Sequence, residues 1–344
     1  MQDLDNILPA QVKGKLSLDR VTFLLFSPRL SAWCKEKSDI RDSEKRIKRM
    51  SEMVQSILSP VLDEDFPQGY PSELFLHHFR TKDGIDLQFG AVMPKRKKVT
   101  DLDLISKFGS VEEQEKGYMF SYSPNEYAFR VEYNPNNSTL DSVIPILEVF
   151  KHYQSDAASL VRVARLDIAI DYDTDIYPGL VMCHGMRKGF LAYGQKGIES
   201  VYWGSRQSKY MFRLYDKRQE QLDKENVDLG FSRWRLELES KDSFFLTGEK
   251  PNFEKVFDRV SFSDGAISSG DWQIDLIRRL AVQDGLDSVL RDMPRATSHR
   301  YRKFFRDSSY RHLEKPSAVF NREFESCFNR LRSSILSAMG YKVE

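Results

Sequence analysis

Apolar and polar residues alternate at period two through the first two thirds of the chain, then give way to a period near 3.6 beyond about Ser243. The first pattern predicts strands at 19–27, 73–79, 85–92, 117–122, 127–133, around Asp167, and at 189–193 and 199–204. It also predicts hairpins, one of them around the Asp83-Gly84 pair that favours a tight turn. Helices are expected at 40–58 and 140–153. The second pattern predicts helices at 253–260, 272–282, 286–293, 298–312 and 319–339, separated by Gly, Pro and Ser breaks. The expected fold class is α+β: a mainly antiparallel sheet over 1–248, followed by a helical region over 249–344. FRVEYN and ARLDIAID each place an acid two residues after an arginine, a faint sign of a duplicated sheet.

Three of these strands turn charge to one side. Arg213, Tyr215 and Lys217 share a face opposite Phe212 and Leu214; Arg235, Glu237 and Glu239 lie opposite Trp234, Leu236 and Leu238. Asp167 and Asp171 alternate in the same way with Leu166, Ile168 and Ile170. Such a face has two readings. It can be a solvated surface with cross-strand ion pairs. It can also be a site, because a tyrosine with a pKa of about 10 becomes a nucleophile only where cations or a metal stabilise its phenolate. Carboxylates converging from separate strands can hold Mg2+ or Mn2+ against phosphate oxygens. Those parts suit phosphodiester cleavage through a covalent phosphotyrosine.

Composition narrows the alternatives. The chain has 344 residues, 40% hydrophobic and 30% charged, with a net charge of +1 that conceals basic clusters at 45–49, 95–98 and 291–311. The last of these interleaves Arg295, Arg300, Arg302, Lys303 and Arg306 with Tyr301, Phe304 and Phe305, so a helix there can bury the aromatics and offer cations to DNA. Three scattered cysteines suggest neither a disulfide framework nor a thiolate cage. No apolar run is long enough for a membrane span and no secretory signal is evident, so a cytoplasmic protein is expected. The six histidines lack HxH or HxxxH spacing, and the phosphate-loop, dinucleotide and serine-elbow motifs are missing from the sequence.

The ordered set LSLDRVTF, RVEYNPNN, RLDIAIDYD, YWGSRQSKYMFRLYDKRQE and WRLELESK resembles the Rep_trans family of rolling-circle replication initiators, which includes related conjugative-element relaxases. The resemblance covers about 16–241. It implies a relaxase-like nuclease in which Tyr215, the tyrosine of the RLYDK string, nicks an origin and stays joined to the 5′ end. Arg213 and Lys217 would then assist catalysis. The matching strand positions offer Asp167 and Glu237, with Glu239, Asp171 and Glu132, as ligands for Mg2+ or Mn2+. Arg206 and Arg235 would steady phosphates. The implied partners are origin DNA, as a hairpin or single-stranded nick site with flanking duplex, a host replicative helicase, and a second copy in a homodimer. A relaxase acting at a transfer origin, or a DNA-binding protein without enzymatic activity, are the competing expectations.

Overall fold

The computed structural model describes residues 11–27, 43–66, 77–91, 127–152, 161–186, 189–194, 197–263, 270–307 and 313–341. Twelve strands are present among them: β1 (Lys15–Ser27), β2 (His77–Arg80), β3 (Asp86–Ala91), β4 (Tyr127–Tyr133), β5 (Val161–Tyr172), β6 (Val181–Cys183), β7 (Gly189–Gly194), β8 (Gly197–Trp203), β9 (Tyr210–Asp216), β10 (Trp234–Ser240), β11 (Phe244–Phe245) and β12 (Val260–Phe262). The helices are α1 (Ser43–Leu58), α2 (Ile144–His152), α3 (Lys217–Glu225), α4 (Phe253–Phe257), α5 (Trp272–Asp284), α6 (Leu286–Arg291), α7 (Arg295–Asp307) and α8 (Pro316–Ala338). The fold is α+β as expected, with antiparallel strands and a helical C-terminal region. The strand expected at 117–122, the basic cluster at 95–98 and the side chains of Lys45, Arg46 and Lys48 lie outside the described residues.

The chain divides into two compact units built from interleaved segments. The first comprises Met1–Asp19, Leu166–Asp242 and Pro251–Asn329; the second comprises Arg20–Arg165, Ser243–Lys250 and Arg330–Glu344.

In the first unit the strand order is β5-β10-β9-β8-β7, every pair antiparallel. Strict alternation gives each strand one apolar face. Leu166, Ile168, Ile170 and Tyr172 on β5 lie beside Leu236 and Leu238 on β10, and these beside Phe212 and Leu214 on β9, all buried. Aromatic rings fasten helices to that face: Phe212 meets Phe257 of α4 at 5.6 Å between centroids, and Phe257 meets Phe320 of α8 at 5.4 Å. A second cluster joins Leu180 and Met182 to Ile274, Ile277 and Ala281 of α5, Leu286 and Leu290 of α6, and Tyr301 and Phe305 of α7. The approach is close enough that a Cβ on Gly179 would fall 2.0 Å from the Ala281 carbonyl oxygen, so no larger residue fits there.

In the second unit the order is β2-β3-β4-β1, again antiparallel, with Phe23, Leu25, Phe79, Phe89, Phe129 and Val131 in its core alongside Val54 and Leu58 of α1. Gly84, with φ +82°, sits in the expected hairpin turn between β2 and β3.

Two elements depart from the sequence pattern. The stretch after β9, where the period-two pattern carries the strand on to Lys217, is the helix α3, and β6 with β12 forms a separate two-stranded ladder. α3 has no buried residue, so no apolar stripe announces it. Its signals are local. The Asp216 side chain caps the N-terminus by accepting from Gln219 N at 3.0 Å, and Lys224 reaches Glu220 at 2.8 Å one turn back. Asn226 closes the helix at φ +54°, in the left-handed region that Asn tolerates.

Because Phe257 is fully buried between β9 and α8, Phe257→Ala is expected to destabilise the fold by about 3–5 kcal/mol. A urea unfolding midpoint that does not move would show that the aromatic ladder is not what holds α4 to the sheet.

Candidate active site

The polar face of the first unit is assembled by register. Tyr215 on β9 pairs with Arg235 on β10, which pairs with Asp171 on β5; in the neighbouring row Arg213 pairs with Glu237, which pairs with Ala169. One row further, Met211, Glu239 and Asp167 stand side by side. Residues one strand apart on a shared face lie about 5 Å apart at Cβ, so each cation meets a carboxylate by backbone geometry before any rotamer is chosen.

Glu237 is the hub of the middle row. Its Oε2 accepts from Arg213 Nη2 at 2.8 Å and from the Tyr215 hydroxyl at 3.4 Å. The Arg213 guanidinium also lies over the Tyr215 ring, with Cζ 4.1 Å from the centroid. Arg213 Nε is buried and has no hydrogen-bond partner, an unfilled donor beside the tyrosine. Tyr215 is only 5% exposed. Burial, then the Glu237 carboxylate, push its hydroxyl well above the ordinary 10.0, and Arg213 and Arg235 pull down without reversing the shift. The tyrosine therefore stands protonated, and its proton has an acceptor already in place.

Arg235 serves the next row. Its Nε and Nη2 donate to the two Asp171 oxygens at 2.6 and 2.7 Å, a bidentate clamp, and its Nη1 donates to Asp19 on β1. Burial raises the Asp19 pKa, with Arg235 and Ser17 opposing it. Arg235, expected on phosphate, is thus committed to two acids inside the protein.

Lys217 does not share a strand face with Arg213 and Tyr215 as the period-two reading has it. It opens α3, because Asp216 ends the strand by capping the helix. From there its Nζ lies 6.0 Å from the Tyr215 ring centroid and 2.7 Å from Glu220.

The expected carboxylates separate into distinct roles. Asp171 is held by Arg235 and Glu237 by Arg213 and Tyr215. Glu132 belongs to the second unit, where it accepts from Thr22 at 2.9 Å and pairs with Arg20 at 2.7 Å and with Arg130. Burial works to raise its pKa, but Arg130 and Arg20 hold it below the usual carboxylate range. Glu239, paired with Lys241 at 2.8 Å, stands directly across from buried Asp167. Among the described residues no three His, Cys, Asp or Glu side chains group to hold a metal ion. Two hard oxygen donors on neighbouring strands are nonetheless what Mg2+ takes from a protein when phosphates complete its shell, and Asp167 with Glu239 fit that donor set.

Of the expected DNA contacts, Arg206, Arg295, Arg300, Lys303 and Arg306 are exposed. Arg302 is half-buried and pairs with Asp287, while Arg300 stacks on Tyr301 at 4.8 Å and donates to its hydroxyl. Tyr301 and Phe305 are buried as the helical spacing predicts. Sequence reasoning missed Asp19, whose signal was its alternation with buried Leu16 and Leu18, and Glu220, whose signal was the lysine on either side at helical spacing.

No protein-family model matches the chain. Curated Staphylococcus aureus proteins named replication initiation protein do match. One is 32% identical over 114 residues, which is 33% of this chain and 35% of the relative; another is 27% identical over 188 residues, or 52% and 55%. The chain thus spans between a third and just over half of the length of these relatives. Among solved structures, that of a rolling circle replication initiator protein from Geobacillus stearothermophilus aligns over 75% of this chain and 89% of that one, at a TM-score of 0.36 and 13% identity.

The Glu220 carboxyl, opposed by burial, is drawn down to about 2 by hydrogen bonds from Lys217 and Lys224. A depressed folded value means that the stabilisation is present above the ordinary 4.5 and is lost as pH falls from there through about 2. Glu220→Gln is therefore expected to lower the unfolding midpoint at neutral pH and to converge with the parent in acid. A deficit that persists unchanged at low pH would mean that packing, and not charge, accounts for it. Over a third to half of its length, then, the chain is similar to curated replication initiation proteins.

Proposed function

We propose that the chain is a rolling-circle DNA replication initiator that nicks one strand at its origin with Tyr215 as the nucleophile. The observation that carries this reading is the contact of the Tyr215 hydroxyl with Glu237, with the Arg213 guanidinium lying over the tyrosine ring. A protonated, buried tyrosine needs a base at the moment of attack, and Glu237 is within reach. The hydroxyl proton passes to the Glu237 carboxylate as the tyrosine oxygen forms its bond to phosphorus. The P–O3′ bond breaks, and the departing 3′ oxygen takes a proton from solvent to become the hydroxyl that primes synthesis. The 5′ phosphate stays on Tyr215, so the bond energy is kept for rejoining.

The exposed edge of the Arg213 guanidinium would donate to a phosphate oxygen, stabilising charge that grows in the transition state. Arg235 fixes Asp171 and backs the tyrosine from the adjacent strand. Asp167 and Glu239 would hold Mg2+ or Mn2+, which when bound neutralises phosphate oxygens. Exposed Arg206, Arg295, Lys303 and Arg306 would contact the DNA backbone, raising affinity with little sequence information.

With Mg2+ or Mn2+ and supercoiled plasmid carrying its own gene, the chain is expected to nick and become attached to DNA. Tyr215→Phe should abolish nicking and attachment while binding persists; a variant that still nicks would move the nucleophile elsewhere. Glu237→Gln keeps the size and loses the base, and is expected to slow nicking by about 100- to 10,000-fold. A rate equal to the parent's removes Glu237 from the chemistry. For duplex contacts, replacing Arg295 and Lys303 together with Ala should weaken origin binding and reduce the slope of log affinity against log salt by roughly one per lost phosphate contact. An unchanged slope would exclude Arg295 and Lys303 from the DNA interface.

A further inference from the structure

The row that contains Arg213 does not end at β9. Arg213 pairs across to Tyr202 on β8, and Tyr202 pairs across to Phe190 on β7. Phe190, Tyr202, Arg213 and Glu237 therefore lie in one line across four strands and on one face. The two aromatic rings sit 5.9 Å apart between centroids, tilted by 47°. Phe190 is 63% exposed, and the alternate residue Leu191 faces the helices, where it meets Gly285 at the end of α5. A phenylalanine left this open on the outermost strand gains little by burial; its ring is presented to whatever lies on the catalytic face.

We propose that Phe190 and Tyr202 form a stacking platform for the unpaired bases of single-stranded DNA next to the scissile phosphate. The inference rests on the nicking role of Tyr215 and names how the same site takes its substrate. Two features commit the surface to single-stranded DNA. The platform is continuous in register with Arg213, whose side chain is 30% exposed, so an aromatic surface passes directly into a cation. That is the pairing single strands require: bases stack on rings while cations follow the backbone. The span also suits it, since β7 lies two strands from β9, about 10 Å, which leaves room for a base beside a phosphate held at Tyr215. Duplex DNA, whose bases are already stacked on each other, has no face to offer the rings.

The experiment measures anisotropy of a fluorescein-labelled oligodeoxythymidylate with the full chain, each variant carried on Tyr215→Phe so that no cleavage intervenes. Stacking tolerates any base, so this probe suffices without knowledge of the origin. Phe190→Ala and Tyr202→Ala are each expected to weaken binding about tenfold, and Phe190→Trp to retain it. Tyr193→Ala is the control: Tyr193 is 59% exposed on the same strand but lies past a register irregularity, paired with Ile198 and outside the row of Phe190 and Tyr202, and its loss should leave affinity unchanged. Unchanged affinity in both alanine variants, or a Tyr193→Ala defect equal to theirs, overturns the platform. Plasmid nicking by the parent chain reads the role of Tyr215 separately, so failure of either idea is visible without the other.

Discussion

Glu237 is one carboxylate asked to satisfy two donors on the neighbouring strand, and the geometry of the polar face follows from that sharing. Paired charges taken out of water recover their desolvation cost only when the remaining hydrogen-bonding capacity is also met. Glu237 meets this condition through Arg213 and the Tyr215 hydroxyl, and Arg235 through Asp171 and Asp19. Arg213 meets it incompletely, with Nε left over. The stable pairs hold the strands in register, and the incomplete one leaves a buried donor beside Tyr215.

The face itself was legible in the sequence because strand geometry has an integer period. Once RLDIAIDYD, MFRLYD and WRLELES are read as strands, alternation puts Tyr215, Arg235 and Asp171 on one side without knowledge of tertiary structure. Strand order is another matter. Nothing local tells β10 to lie between β5 and β9, and it is that order which gives Glu237 to Arg213 and Tyr215, and Arg235 to Asp171. Lys217 was misplaced for a related reason. Period two carries no stop signal, and the strand ends only because Asp216 prefers to cap a helix.

The carboxylates show the limit of composition as a guide to chemistry. Asp171, Glu132, Glu237 and Glu239 look alike in the sequence, but each has a different arginine, lysine or tyrosine against it. An acid held by a bidentate guanidinium has little lone-pair capacity left for a cation, so partners sort the acids by function more sharply than position along a strand does.

The interleaving of the two units bears on how the chain is made. The first unit needs segments from Met1–Asp19 through to Pro251–Asn329, and the second needs Arg330–Glu344 to join Arg20–Arg165. α8 contributes to both units, so neither is complete until it has been made, and apolar strand faces before it stay uncovered until then. Contacts that distant in sequence form slowly, and open strand edges invite pairing with other chains in the meantime.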